Sequence, residues 1–231
     1  MDLSVVIPAY NEEKDIGATL RSVHEYLRSH FSSFEIIVVD DASTDHTADV
    51  VRSVKGVGLI RYAPNRGKGY AVKTGMLAAK GDMVLFMDAD NSTNITELDH
   101  LIPEMRNYDI VIGSRATKGS TITVHQPSYK RWLGRFGNLV IRSALGLAIH
   151  DTQCGFKLFR KESLVLFRKQ KLERWGFDFE ILFLATRHGY RILESPVTWT
   201  NDFDTKVTLG GYFRTAREVC MVRLWALLHR Y

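Results

Sequence analysis

A chain of 231 residues with 45% hydrophobic content can bury one sizeable core and reads as a single domain over residues 1–231. It holds no charge-free apolar run of the ~18 residues a membrane span needs, no signal-peptide pattern, and only Cys154 and Cys220 without metal-ligand spacing, so a cytoplasmic protein without a structural disulfide is expected. The net charge of +5 hides a split: residues 1–110 carry 11 Lys/Arg against 17 Asp/Glu, and residues 111–231 carry 20 against 9. The acidic half suits a cation; the basic half is either a solvated face or the side that meets an anionic partner.

In chain order, "LSVVI" (3–7), "EIIVVD" (35–40), "VGLIRY" (57–62), "MVLFM" (83–87) and "DIVIG" (109–113) are short β-branched runs suited to strands buried on both faces. Helical spacing follows each of the first three. Asn11 is placed to cap one helix, with Glu12, Glu13 and Asp15 in its first turn; Ser43 or Thr44 is placed to cap the next; a third runs through "GYAVKTGMLAAK". The alternation predicts an α/β fold, a doubly wound, mostly parallel sheet of Rossmann type. Ligands of such sheets bind beyond the carboxyl ends of the strands. Pro8–Glu12, Asp40–Asp45 and Asp88–Thr93 all fall there.

Asp88 and Asp90 end a buried strand with one alanine between them. On an extended segment the two carboxylates point the same way, about 6–7 Å apart, and repel unless a cation sits with them. Mg²⁺ or Mn²⁺, which keeps several waters and also binds phosphates, suits the pair. "NRGKGYAVKTG" is glycine-rich but is neither a P-loop nor a full dinucleotide fingerprint, since Val72 stands where the third glycine belongs. A phosphoacceptor receiver domain would leave the basic half unexplained.

"VVIPAYNEE", "IIVVDDASTDHT", "NRGKGYAVKTG", "FMDAD" and "IGSR", in this order and spacing, resemble the inverting family 2 glycosyltransferases of GT-A fold. "DTQCGFKLFRKE" (151–162) and "LERWGFDFEILFLATRHGYRILESPVTW" (172–199) are most similar to the dolichyl-phosphate β-glucosyltransferase branch, with dolichyl-phosphate mannose synthases next. The resemblance implies a nucleotide-sugar-binding half (1–115) and an acceptor- and membrane-facing half (116–231). Pro8, Ala9, Tyr10, Glu12, Val39, Asp41, Lys68 and Ala89 would line the donor pocket. Asp88 and Asp90 would hold the metal, with Ser92 in place of a third ligand. Arg115 and Lys206 would add charge at the donor, the latter in a loop over it. Asp151 would act as a base or orient a basic partner.

The implied reaction moves one hexose, glucose from UDP-glucose, to a polyprenyl or dolichyl phosphate; alternatives are mannose from GDP-mannose, a sugar-hydroxyl acceptor, or a non-catalytic nucleotide-binding module. A phosphate monoester is already anionic at pH 7 and needs positive charge more than a base. In "YKRWLGRFGNLVIRSALG", Arg131, Arg135, Asn138 and Arg142 recur on one helical face and Trp132, Leu133, Phe136 and Val140 on another, the pattern either of a helix lying on an anionic membrane surface or of a core-packed helix with a solvated arginine stripe; the absence of acids favours the first. The resemblance implies Arg131, and with it Arg135, as the acceptor-phosphate contacts. The C-terminal "YFRTAREVCMVRLWALLHRY" either covers the sheet or touches the membrane. Peripheral attachment on the cytoplasmic face, or a separate membrane-protein partner, is expected. Nucleic acid is not, because the basic stretches carry no reading module.

Overall fold

The structure, a computed structural model, describes residues 1–123, 128–200 and 209–231. Its elements run β1 (Leu3–Ala9), α1 (Ile16–His30), β2 (Phe34–Asp40), α2 (Thr47–Ser53), β3 (Val57–Arg61), α3 (Lys68–Ala78), β4 (Met83–Met87), α4 (Leu98–Leu101), β5 (Ile110–Ser114), β6 (Thr121–Ile122), α5 (Ser128–Leu145), β7 (Phe156–Arg160), α6 (Val165–Lys169), α7 (Phe177–Arg187), β8 (Ile192–Pro196), β9 (Thr198–Trp199) and α8 (Leu209–Leu227). The five predicted strands are all present, within two residues of their expected ends.

Seven strands form one sheet in the order β3-β2-β1-β4-β7-β5-β8. β1 pairs in parallel with β2 and β4, and β5 in parallel with β8. β7 enters between β4 and β5, antiparallel to both. The sheet is therefore mixed, and a strand from the basic half separates β4 from β5. Alternation at period two sends Val5, Ile7, Leu85, Met87, Phe156 and Leu158 into one apolar layer under α1 and α4. Val6, Val84, Phe86, Ile110, Ile112 and Phe159 face the other, beneath α3, α5, α7 and α8. Each such side chain contributes about 1.5–3 kcal/mol when fully buried.

Two helix starts differ from expectation. α1 begins at Ile16 behind Asp15, with no acid in its first turn. Asn11 instead adopts a left-handed backbone (φ 56°) and its Oδ1 accepts the Thr44 amide at 2.8 Å. α2 begins at Thr47 behind His46. Ser43 and Thr44 serve the loop: the Ser43 hydroxyl accepts the Asn11 amide, and that of Thr47 accepts the Glu12 amide. The side chains that looked like caps tie two strand-end loops together, an alternative these short polar residues offer at a chain turn.

The C-terminal helix has one buried and one exposed side. Val219, Val222 and Ala226 are buried against the sheet, while Phe213, Leu224, Leu227 and Leu228 are exposed along the opposite side. Among the described residues, no helix is long and apolar enough to cross a membrane.

Candidate active site

A cleft of about 640 Å³ opens at the carboxyl ends of β1, β2 and β4. Pro8, Ala9, Tyr10, Glu12, Asp41, Lys68, Asp88, Ala89, Asp90 and Ser92, all singled out from sequence, line it together. Asn11, Ala42 and Asn91, one beyond each of these strands, have positive φ (56°, 61° and 54°). Such backbone costs of order 1–3 kcal/mol per residue and tends to gather where loops are shaped for a ligand.

Asp88 leaves β4 with its amide bonded to the Gly155 carbonyl at 3.1 Å, and its Oδ1 lies 2.6 Å from Lys68 Nζ. Gly155, just before β7, is required here: a Cβ on it would fall 1.9 Å from Asp88 Oδ2. Asp90 sits at the mouth and accepts the Ser92 amide at 2.9 Å. Loss of hydration in the cleft, then the charge of Asp88, raises the Asp90 carboxyl above the ordinary carboxylate range. A proton is held more easily on that carboxyl because the cleft strips its hydration and, second, because two like charges share the site; a divalent cation relieves that repulsion. Two carboxylates with open cleft beside them fit a hard cation that takes its remaining oxygens from water and phosphate. Ser92 lines the cleft as well, but its backbone is committed to Asp90.

Asp41 shapes the glycine-rich loop. Its two carboxylate oxygens accept the amides of Arg66 and Gly67, both at 2.7 Å. Beyond that loop, a Cβ on Gly67 or Gly69 would lie 2.7 Å from the backbone of Glu173 or Arg174. Those glycines admit the Arg174–Trp175 segment to the cleft wall, where Lys68 Nζ lies 5.1 Å from the Trp175 ring. Val39 is not among the lining residues; it is buried with Ile37 and Ala71, and a Cβ on Gly75 of α3 would meet it at 2.9 Å.

Arg115 and Asp151 are not among the lining residues and form a second unit joined to the cleft through Trp199. The Arg115 Nε and Nη2 donate to Asp151 Oδ2 and Oδ1 at 2.7 and 2.9 Å, and the Arg115 amide donates to Oδ2 at 2.9 Å. Burial pushes the Asp151 carboxyl up, but the Arg115 charge and these hydrogen bonds outweigh it and hold the group below its usual range. So low and so fully engaged a carboxylate is a poor proton acceptor. Of the two roles expected for Asp151, orienting a basic partner is the one this geometry serves. The Arg115 guanidinium in turn lies 5.2 Å from the ring of Trp199, which lines the cleft.

Asn138 of α5 ties that helix to the same loop, donating to the His150 carbonyl and accepting the Thr152 hydroxyl at 2.7 Å. The side chains of Arg131 and Arg135, and all of Lys206, lie outside the described residues.

Sequence reading missed a buried pair below the cleft. Lys157 of β7 donates to the Asp178 carboxylate in the first turn of α7, and both are fully buried. Both residues stood inside quoted motifs, "GFKLF" and "GFDFE". The available signal was charge inside apolar runs, Lys157 in "FKLF" and Asp178 in "FDF", which burial makes costly unless paired.

The mixed sheet and its strand-end aspartates define a class. The chain matches the glycosyl transferase family 2 model over residues 4–167 and belongs to that family; it is a glycosyltransferase. More particularly, it is 35% identical to dolichyl-phosphate β-glucosyltransferase ALG5A of Trichomonas vaginalis, over 99% of this chain and 74% of that one. It is 33% identical to the dolichyl-phosphate β-glucosyltransferase of Homo sapiens, over 96% and 75%. Among solved structures, glucosyl-3-phosphoglycerate synthase from Mycobacterium tuberculosis with Mn²⁺, uridine diphosphate and phosphoglyceric acid superposes with a TM-score of 0.71 at 19% identity, over 99% of this chain and 78% of that one. That likeness shows the GT-A fold.

Proposed function

We propose that this enzyme transfers one glucosyl residue from UDP-glucose to the phosphate of a dolichyl or other polyprenyl phosphate, with Mg²⁺ or Mn²⁺ held by Asp88 and Asp90. The observation that carries the reading is that Asp88 and Asp90 line a strand-end cleft that also gathers Tyr10, Glu12, Asp41 and Lys68. The similarity to dolichyl-phosphate β-glucosyltransferases, over nearly all of this chain and about three quarters of theirs, supports the choice of sugar and acceptor.

Tyr10, 42% exposed at the cleft, offers a ring for the nucleobase to stack on. Asp41 has lone pairs left on its carboxylate for a base N–H. A divalent ion, when bound, supplies Lewis-acid stabilisation of the diphosphate leaving group. Lys68 adds a cation at the same place, and Arg115, held rigid by Asp151, adds another close by. The acceptor phosphate oxygen forms a bond to the anomeric carbon from the face opposite the diphosphate. The bond from that carbon to the diphosphate oxygen breaks, and UDP departs with the electron pair. No proton has to move, in keeping with an Asp151 that is already committed to Arg115.

The exposed Phe136, Leu139 and Val140 of α5 and Phe213, Leu224, Leu227 and Leu228 of α8 support peripheral docking on a membrane. Arg131 and Arg135 lie on α5 and are assigned to the acceptor phosphate; Lys206 is assigned to the donor. Incubating the protein with labelled UDP-glucose or GDP-mannose, dolichyl phosphate, and Mn²⁺ or EDTA tests the reading. Transfer from UDP-glucose that EDTA abolishes is expected. Transfer only from GDP-mannose, or transfer indifferent to EDTA, would refute it.

A further inference from the structure

Lys171–Gly176 is a short loop between α6 and α7 whose tip reaches the cleft. Arg174 and Trp175 line the cleft from it, and Trp175 stays 48% exposed. The tip is bound to the first turn of α3. There the Tyr70 amide donates to the Glu173 carbonyl at 2.9 Å, and the buried Gln170 side chain donates to the carbonyls of Gly69 and Leu172 at 2.9 and 2.8 Å. Gly69 and Tyr70 directly follow Lys68, whose Nζ lies 2.6 Å from Asp88 Oδ1 and 5.1 Å from the Trp175 ring. The setting of Trp175 against Lys68 and Asp88 therefore depends on the path of this loop.

The base of the loop is held by a carboxylate that the reaction described above does not use. Glu180 of α7 is fully buried and accepts the amides of Lys171 and Leu172 at 3.0 and 2.8 Å and the Tyr231 hydroxyl at 2.7 Å. Loss of hydration raises its carboxyl above the ordinary range, against the pull of these three donors. A buried carboxylate is a costly way to fill space, since apolar packing of similar volume is often as stable or more so. What it supplies is direction: two successive amides aimed at one carboxylate fix how the chain enters Glu173. Tyr231 brings the end of α8 into the arrangement. Its ring lies edge-on to Trp225 of α8 at 6.2 Å, and Lys171 Nζ stands 5.3 and 5.5 Å from the Trp225 and Tyr231 rings. α8 meets the far end of the loop as well, where a Cβ on Gly176 would lie 2.5 Å from Glu218 Oε2.

We propose that Glu180 is a positioning residue for the transfer, that Tyr231 completes it, and that both act through Trp175 as the wall of the cleft against which the nucleotide-sugar rests. This rests on the donor site proposed above. A merely structural Glu180–Tyr231 pair would change the melting temperature and leave donor kinetics alone.

The test is steady-state transfer from UDP-glucose to dolichyl phosphate in Mn²⁺, run beside thermal melts and well below the melting temperatures. Tyr231→Phe keeps the ring and removes only the hydroxyl; Glu180→Gln removes the charge. The kcat/KM for UDP-glucose should fall about fivefold in the first and about tenfold in the second, fractions of the roughly hundredfold that a displacement of about 1 Å costs. The KM for dolichyl phosphate should not move. Trp175→Ala should lose more than either. In that background neither change should lower the donor kcat/KM further, though each should still lower the melting temperature. Tyr231→Phe at wild-type kcat/KM, or a loss of equal size with and without Trp175, overturns the inference while the donor site stands. A rise confined to the KM for dolichyl phosphate overturns it too. A wild type that transfers nothing from UDP-glucose overturns the donor-site reading and this inference with it.

Discussion

Gly155→Ala puts the geometry of the carboxylate pair to a direct test. The new Cβ would sit 1.9 Å from Asp88 Oδ2 and 2.3 Å from its Cγ, whereas ordinary contact begins near 3.4 Å. The carboxylate must retreat by about 1.5 Å or the β4–β7 pairing must open, and the Asp88 amide bond to the Gly155 carbonyl resists the second. Overpacking of this kind costs about 1–3 kcal/mol, which lowers the melting temperature of a chain this size by roughly 3–10 °C. Activity should suffer far more, because a displacement of about 1 Å at a catalytic centre costs on the order of a hundredfold. Glucosyl transfer from UDP-glucose, measured beside a thermal melt, separates the two effects. Gly58→Ala on β3 is the control: its Cβ meets nothing closer than a carbonyl at 3.5 Å, and both readings should stay near wild type. A folded Gly155→Ala enzyme with undiminished kcat/KM would show that Asp88 does not need its place.

Arg115→Lys loses the two-pronged bond to Asp151 and should cut transfer tenfold or more, with the loss mainly in kcat; steady-state kinetics decides. The same pair predicts a pH effect on stability. The folded Asp151 carboxyl titrates below its unfolded value near 3.9, so its contribution is complete above about pH 4 and disappears as pH falls through the depressed value. Urea melts over that acid range should show a shallower loss in Arg115→Met/Asp151→Asn than in wild type. Ala42→Gly relieves a left-handed alanine and should leave stability unchanged or raise it by up to about 1 kcal/mol, while Ala42→Val should destabilise; differential melts give the sign. Replacing Leu224, Leu227 and Leu228 by serine should weaken binding to anionic vesicles at least tenfold without moving the melting temperature, as read by co-sedimentation.

The five early strands were legible because β-branched runs between polar turns leave little else for the chain to do. The convergence of Tyr10, Asp41, Asp88 and Asp90 followed from the parallel order, since that order places every strand's carboxyl end on one edge. Pairing between distant segments was not legible. Nothing local in "GFKLFR" says that it lies antiparallel between β4 and β5, and without that placement neither Gly155 against Asp88 nor Lys157 beneath Phe86 can be seen. Asn11 and Thr44 misled for a related reason: the residues that cap helices also bridge loops, and only the neighbouring loop decides which. α8 was ambiguous because its apolar residues divide between a buried side, Val219, Val222 and Ala226, and an exposed one, Leu224, Leu227 and Leu228.

The insertion of β7 also sets a timetable for synthesis. β4 emerges with one edge satisfied by β1, and its other edge waits for residues 156–160. β5 must wait for β7, and then for β8 at residues 192–196. At about 5–20 residues per second, the ribosome leaves β4 with an open, strongly apolar edge for several seconds. A nascent chain of about 115 residues already carries both aspartates of the donor cleft, yet lacks the strand that holds them in place. The hazard is one for the growing chain alone, and the end of translation removes it.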